Sequence, residues 1–294
     1  MSDHADLAAS IVVLTLDRPQ LLAETLDSLA ALDFPSERYE IVVIDDGPVP
    51  KVPPRAGVRV VAHGSHRGIN AARNTGMREA RSELVCFVDD DIDAPSGWLR
   101  EVVEAAARHP DAWVIGGPVR LRFEGRQVSS CRYCISWEGS WDLGPDEGPS
   151  ASNAIGCNMA VRKSAVAAAG PFDEELPPYG EELEWQDRAR RMGAVVVNAP
   201  DAWLWHRRTS ERVRFHNRLG RYYRIGRGHA FSRRSQGLPV EPHPERIPRW
   251  LAHAAKHRCS GGVAMVALEV GKLGGIAELA WNRRRSAPVT SPDG

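Results

Sequence analysis

No stretch of this 294-residue sequence runs for 18 apolar residues, which argues against a helix that crosses a bilayer. The opening MSDHADLAAS is polar and acidic and lacks the apolar core of a secretory signal, so the cytoplasm is the expected compartment. Cysteine is scarce and odd in number: Cys86, Cys131, Cys134, Cys157 and Cys259. Without a secretory signal, that count points to free thiols in a reducing environment, not to a disulfide framework. Cys131 and Cys134 form a single C-x-x-C with no second pair and no histidine nearby in sequence, so zinc is not expected there. Its flanks do not read as a strand-to-helix turn, so a redox role is not expected either. There is no internal repeat.

Net charge is also missing, since 38 Lys and Arg balance 38 Asp and Glu. The zero conceals an asymmetry. Residues 207–294 hold 18 basic and 6 acidic side chains, whereas residues 1–206 hold 20 and 32. A basic tail on an acidic body either packs on that body or meets an anionic partner. RYYRIGRGHAFSRR (221–234) interleaves arginine with tyrosine, but no nucleic-acid-binding module surrounds it, and nucleic acid is not expected as a partner. An anionic lipid carrier, a membrane surface and intramolecular packing stay open.

What is present is a regular alternation. IVVLTL (11–16), IVVI (41–44), VRVVA (58–62), LVCFV (84–88) and AVVVNA (194–199) are short, β-branched and almost continuously apolar, as strands covered on both faces are. Helical spacing of apolar residues falls between them at 19–32, 70–81 and 97–108. Strands alternating with helices make an α/β fold with a mainly parallel sheet flanked by helices. The composition shift places a body over residues 1–210 and a basic, mostly helical extension over 211–294, ending in a disordered SAPVTSPDG. In the extension, Val263, Val266, Val270, Leu273, Ala277 and Trp281 share one helical face while Glu269, Lys272 and Glu278 interrupt the others. Such an amphipathic helix packs on the body or lies on a membrane surface, at the inner membrane face for a cytoplasmic protein.

The chemistry gathers at strand ends. LVCFV runs into Asp89, Asp90 and Asp91, and in open parallel sheets ligands bind beyond the carboxyl ends of strands. Three adjacent carboxylates repel one another unless a cation sits among them, and Mg²⁺ or Mn²⁺ prefers such oxygen ligands. A second strand ends in Asp45 and Asp46. A third ends in LTLDRP, which offers Thr15, Asp17 and Arg18. HRGINAARNTG (66–76) leads from a glycine turn into a helix carrying Arg73, a residue suited to diphosphate oxygens.

Taken in order, VLTLDRPQLLAETLDSL, IVVIDDG, GINAARNTGMREA, CFVDDDIDAPSGWL and GCNMAVRKSAVAAAGPFDEEL resemble the family 2 glycosyltransferases of GT-A fold, over about residues 10–206. The resemblance implies a nucleotide-diphospho-sugar transferase with a Rossmann-like sheet. It puts Thr15, Arg73 and either Asp45 or Asp46 on the nucleotide, beside Arg18 and Asp90. The triple aspartate becomes the DXD motif, with Asp89 near the ribose and Asp91 as the main metal ligand. It also implies inversion at the anomeric carbon, without a covalent sugar–enzyme intermediate. The expected donor is a UDP- or dTDP-linked sugar, and the acceptor a saccharide, a glycolipid or a small molecule.

Such a transfer needs a base for the acceptor hydroxyl. Trp185, Ala189 and Met192 make one apolar face, so 181–192 reads as a helix with Glu181, Glu182 and Glu184 in its first turn. The family has Glu-Asp here and uses the Asp. This chain has Glu182 instead, which is therefore the expected base, with Glu181 and Glu184 as alternates at the acceptor side. That substitution is also the one feature favouring a non-catalytic sugar-nucleotide-binding protein of the same fold. His206 stands where the family often places a histidine on the metal or diphosphate, and a packed surface histidine is the other reading. Trp137 and Trp141 either stack on an acceptor or fill core. The first strand is not followed by a glycine-rich basic loop, which argues against a sugar-phosphate nucleotidyltransferase.

Overall fold

A computed structural model describes residues 7–52, 54–125, 131, 134 and 140–286. The chain divides into two compact units. The larger comprises Met1–Gln127, Ile135–Glu175 and Glu181–Ser210; the smaller comprises Val128–Cys134, Leu176–Gly180 and Glu211–Gly294.

The larger unit is built on β1 (Ala9–Thr15), β2 (Tyr39–Asp45), β3 (Val58–Ala62), β4 (Leu84–Asp89), β5 (Ile92–Asp93), β6 (Ala112–Gly116), β7 (Val119–Phe123), β8 (Gly148–Pro149), β9 (Met159–Arg162), β10 (Val195–Asn198) and β11 (Leu204–Arg208). Eight of these form one sheet in the order β3-β2-β1-β4-β9-β6-β10-β8. β1, β2, β3 and β4 are mutually parallel, as are β6 and β10, while β9 runs antiparallel between β4 and β6. The five strands expected from the sequence are all present. β9 escapes that reading because its apolar run, Met159–Val161, is short and has a single β-branched residue.

Both faces of the sheet are covered, which is why its strands read as continuous apolar runs. Ile11, Val13, Val43 and Val88 face α1 (Pro19–Ala30) and α3 (Trp98–Arg108), where Leu22, Leu26, Leu29 and Trp98 are buried. Val12, Val42, Ile44 and Phe87 face α2 (Ile69–Glu79), α4 (Lys163–Ala169) and α5 (Glu181–Arg191). Each fully buried aliphatic side chain contributes about 1.5–3 kcal/mol. α2 lies so close that a Cβ on Gly76 would fall 2.5 Å from Val12 Cγ1. Of the face expected for α5, Trp185 and Ala189 are fully buried, but Met192 lies past the helix end and is exposed.

Register then sets the site. Thr15 pairs with Asp45 and Leu14 with Asp89, so three strand ends meet along one edge. In a separate three-stranded sheet, β11 lies between β5 and β7, and pairing of His206 with Ile92 brings His206 beside Asp91.

The smaller unit contains α6 (Phe215–Ser235), α7 (Ile247–His257) and α8 (Ser260–Ser286). Tyr222 of α6 packs with Ala264, Met265 and Leu268 of α8. The buried face of α8 therefore differs from the one its apolar spacing suggests. Val270, Leu273 and Trp281 are exposed at 45%, 41% and 57%. Glu269, expected to interrupt a polar face, is buried, where it accepts from the His243 amide at 2.8 Å and Lys272 Nζ at 3.0 Å. Glu278 is held by Arg227 through two 2.7 Å bonds. Partners at hand for each polar group let the nominally polar side turn inward. Among the described residues no helix is long and apolar enough to cross a membrane.

Candidate active site

The triple aspartate splits into three environments. Asp89, the last residue of β4, is half-buried at the edge of the site. Asp90 is fully buried. Its Oδ2 accepts from Thr15 Oγ1 at 2.7 Å and its Oδ1 meets Arg18 at 2.5 Å. Burial, opposed by Arg18 and reinforced by Asp91, pushes its pKa up to about 7. Asp90 thus turns into the protein and braces Thr15 and Arg18.

Asp91 is buried beside three basic groups. His206 Nε2 lies 3.1 Å from its Oδ1, Arg18 Nη1 3.2 Å from its Oδ2, and Arg208 Nη1 4.0 Å away. The Asp91 carbonyl also accepts from the Arg207 amide at 2.8 Å. Burial, and then Arg208, hold the His206 pKa below its ordinary value against the pull of Asp91, so its ring is neutral at pH 7. His206 Nε2 is itself buried and makes no hydrogen bond. On the far side of the ring, Arg208 Nη2 and Cys157 Sγ lie 3.1 and 3.7 Å from Nδ1. Asp89, Cys157 and His206 present ligand atoms all within 4.8 Å of one another. Carboxylates with a neutral imidazole whose buried nitrogen has no hydrogen bond fit a divalent cation.

Gly156 and Cys157 join this region to the glutamates. Cys157 touches His206, while a Cβ on Gly156 would fall 2.3 Å from Arg73 Nη2 and 3.7 Å from the Glu182 carboxyl carbon. A side chain here would collide with the buried Arg73 guanidinium. Next to them, Asn158 ties β-strand ends together, donating to Pro118 O and Ala202 O and accepting from Trp98 Nε1.

The three glutamates of the first turn of α5 are not equivalent. Glu181 is buried and accepts from Arg73 Nη1 at 2.9 Å. Glu184 accepts from Arg188 Nε at 3.2 Å, and Arg188 in turn holds the carbonyls of Ala169 and Pro171. Both are therefore engaged by arginines inside the protein. Glu182 has neither partner, and its Oε2 is buried without a hydrogen bond. Burial and then the neighbouring Glu181 charge push its pKa up to about 7, with Arg73 opposing. A carboxylate with that pKa accepts protons well at neutral pH.

Arg73 is itself buried, donating also to Asn70 Oδ1 at 3.1 Å and lying 5.7 Å above the Phe172 ring. Burial alone would lower its pKa, yet Glu181 and Glu182 raise it. Its neighbours Asn70 and Asn74 bind Asp173 O and Phe172 O. The two motifs NAARN and GPFDE thus fold onto each other.

Asp45 accepts from the Gly47 and Lys51 amides at 2.9 and 3.0 Å. Asp46 is more fully engaged: Oδ1 meets His63 Nδ1 and the Arg67 amide, and Oδ2 meets His66 Nδ1 and the Gly68 amide, all at 2.7–2.9 Å. Burial would raise its pKa, but these bonds hold it below the ordinary value. Asp46 anchors the turn into α2. Trp141 packs against the core, donates its indole N–H to Asn153 O at 2.9 Å, and lines a cavity of about 500 Å³ with Pro118, Arg120 and Pro200. Trp137 lies outside the described residues. Cys157 and Arg208 are the members of this site that sequence reasoning missed. Both adjoin residues in motifs already singled out, GCN and WHRR.

Residues 10–168 match the family model described as Glycosyl transferase family 2. The chain is 23% identical over 228 residues to glycosyltransferase AglE of Haloferax volcanii, covering 74% of this chain and 72% of that one. It is 28% identical over 211 residues to succinoglycan biosynthesis protein ExoM of Rhizobium meliloti, covering 67% and 66%. Its fold is similar to that of mannosyltransferase PcManGT from Pyrobaculum calidifontis, solved with GDP-Man and Mn²⁺, at a TM-score of 0.55 and 16% identity over 97% of this chain and 83% of that one.

Proposed function

The chain belongs to glycosyl transferase family 2, and from that premise we propose a metal-dependent, inverting transfer of sugar from a UDP- or dTDP-linked donor to an acceptor hydroxyl. The observation that carries this reading is the meeting of Asp91 and His206 at 3.1 Å in a buried setting. Asp89, Asp91 and His206 would hold Mn²⁺ or Mg²⁺, which when bound offsets the negative charge that builds on the departing diphosphate.

The protein's own groups do the rest. Thr15, Arg18 and Asp45 line the strand ends where the nucleotide would lie, and Asp90 fixes the first two. Glu182 takes the proton from the acceptor hydroxyl as its oxygen attacks the anomeric carbon, and the sugar–phosphate bond breaks with its electron pair going to the diphosphate. Arg73 keeps Glu181 neutralised, so that Glu182 is the carboxylate left to act. One displacement inverts the anomeric carbon. The larger unit is the catalytic domain, and the smaller a helical extension whose exposed Val270, Leu273 and Trp281 are the natural point for peripheral membrane contact. Flotation with anionic liposomes should lose the Leu273→Glu/Trp281→Glu double variant if this is so.

The test is to incubate purified protein with Mn²⁺ and a panel of nucleotide sugars and to follow donor hydrolysis or transfer. Asp91→Ala should abolish both. Undiminished turnover by that variant would remove the metal from the mechanism.

A further inference from the structure

Cys131, Cys134, His253 and Cys259 come together in the smaller unit, apart from the residues assigned to catalysis. Their ligand atoms all lie within 4.8 Å of one another. His253 Nε2 is 3.3 Å from Cys131 Sγ and 3.7 Å from Cys134 Sγ. A tetrahedral zinc with bonds of about 2.3 Å to sulfur and 2.0–2.1 Å to nitrogen has sulfur–nitrogen edges of about 3.5 Å. The observed separations bracket that value.

The local structure explains the convergence. Cys131 and Cys134 have the spacing of two ligands from one turn, and the Cys134 amide donates to Cys131 Sγ at 3.4 Å. His253 lies in the last turns of α7. Arg258 then takes a left-handed conformation, φ 45°, and the Cys259 amide bonds back to Ala254 O at 3.0 Å. This reversal sets Cys259 at the head of α8, facing back toward His253. The Cys131 amide donates to Cys259 Sγ at 3.2 Å, joining the two halves. Amides aimed at sulfur are the partners a metal-bound thiolate needs. Cys134 and Cys259 are buried.

We propose that these four residues bind one structural zinc ion in a Cys₃His site. It clips Cys131 and Cys134 to the α7–α8 junction. This corrects the expectation from the sequence, in which C-x-x-C stands alone: His253 lies 119 residues beyond Cys134, and only the fold brings it in. Soft thiolates with one imidazole favour Zn²⁺ over the Mn²⁺ or Mg²⁺ of the oxygen-rich catalytic site, so the two metals sort by ligand type. The pattern H-x₅-C on one side and C-x₂-C on the other falls within the ligand spacings of closed zinc sites.

The experiment takes the full chain, purified under reducing conditions without chelator, and measures metal by plasma mass spectrometry after dialysis against EDTA. One equivalent of zinc is expected to remain, and to be released when a mercurial titrates the thiols. Replacing zinc with Co²⁺ in the wild-type chain should give intense visible absorption typical of tetrahedral cobalt and a near-ultraviolet thiolate-to-cobalt band. Cys131→Ser and His253→Ala should lose the equivalent, whereas Cys157→Ser should keep it. The proposal is overturned if the wild-type chain neither holds zinc nor takes it up, if cobalt gives only the weak absorption of oxygen ligation, or if both cluster variants keep the metal. A disulfide among Cys131, Cys134 and Cys259 in the freshly purified chain would overturn it equally. Should the variants fail to fold, the cobalt spectrum of the wild-type chain decides.

Discussion

Arg73 Nη1 donates to Glu181 Oε1 at 2.9 Å with both side chains buried, and that pair decides which of two adjacent glutamates stays available. Glu181→Gln removes the like charge beside Glu182, so the acidic limb of the pH–rate profile should move down by about one pH unit. Arg73→Gln should move it up and, by leaving a buried carboxylate without its partner, cost about 3–5 kcal/mol in denaturant unfolding.

Glu182→Gln should cut transfer by about 10²–10⁴-fold, the range for loss of a general base, while nucleotide affinity stays near wild type. Stability should go the other way. Because the folded pKa is raised to about 7, folded protein keeps a proton that the unfolded chain releases, and stability falls as pH rises from the ordinary carboxylate range to about 7. The Gln variant lacks that loss and should be more stable than wild type at pH 8, by about 1–3 kcal/mol. Thermal melts at pH 5 and pH 8 check the sign.

Removing metal with EDTA should stop transfer, and Mn²⁺ should restore it. His206→Ala should weaken Mn²⁺ binding by about 10–100-fold, read by calorimetry. Burial and Arg208 keep His206 neutral down to below its ordinary pKa, so Mn²⁺ affinity should hold through pH 7 and fall only on the acidic side of about 6.5.

Asp46→Asn should lower stability by about 2–3 kcal/mol, since charge-assisted bonds to two amides and two imidazoles weaken together. Its depressed pKa places that stabilisation above the ordinary carboxylate range, with loss as pH falls through the folded value. Titration with UDP should show little change for Asp46→Asn and an affinity loss of about tenfold for Asp45→Asn.

Much of the architecture could be read along the chain because its information is local. β1, β2 and β4 carry continuous apolar runs, as strands covered on two faces must. Pro19 opens α1, and the apolar spacing of α3 and α5 marks their inner faces. β9 stayed hidden because its apolar run, Met159–Val161, is short and has a single β-branched residue, unlike the three valines of β10. The inner face of α8 was misjudged because Glu269 and Glu278 find partners only when His243 and Arg227 arrive from distant parts of the chain.

By itself the sequence determined that acids cluster at strand ends, that a glutamate-rich helix start follows a GCN motif, and that the extension is basic and helical. Those are properties of neighbours in the chain. The tertiary structure alone decided that Asp90 and Asp46 turn inward, that Arg73 takes Glu181 and leaves Glu182, and that His206 reaches Asp91. It alone also decided that a solitary C-x-x-C acquires a histidine and a third thiol. The physical reason is the same in each case: a side chain's partner is set by strand register and helix packing, which bring together residues far apart in the chain, 17 positions for Asp46 and His63 and 108 for Arg73 and Glu181.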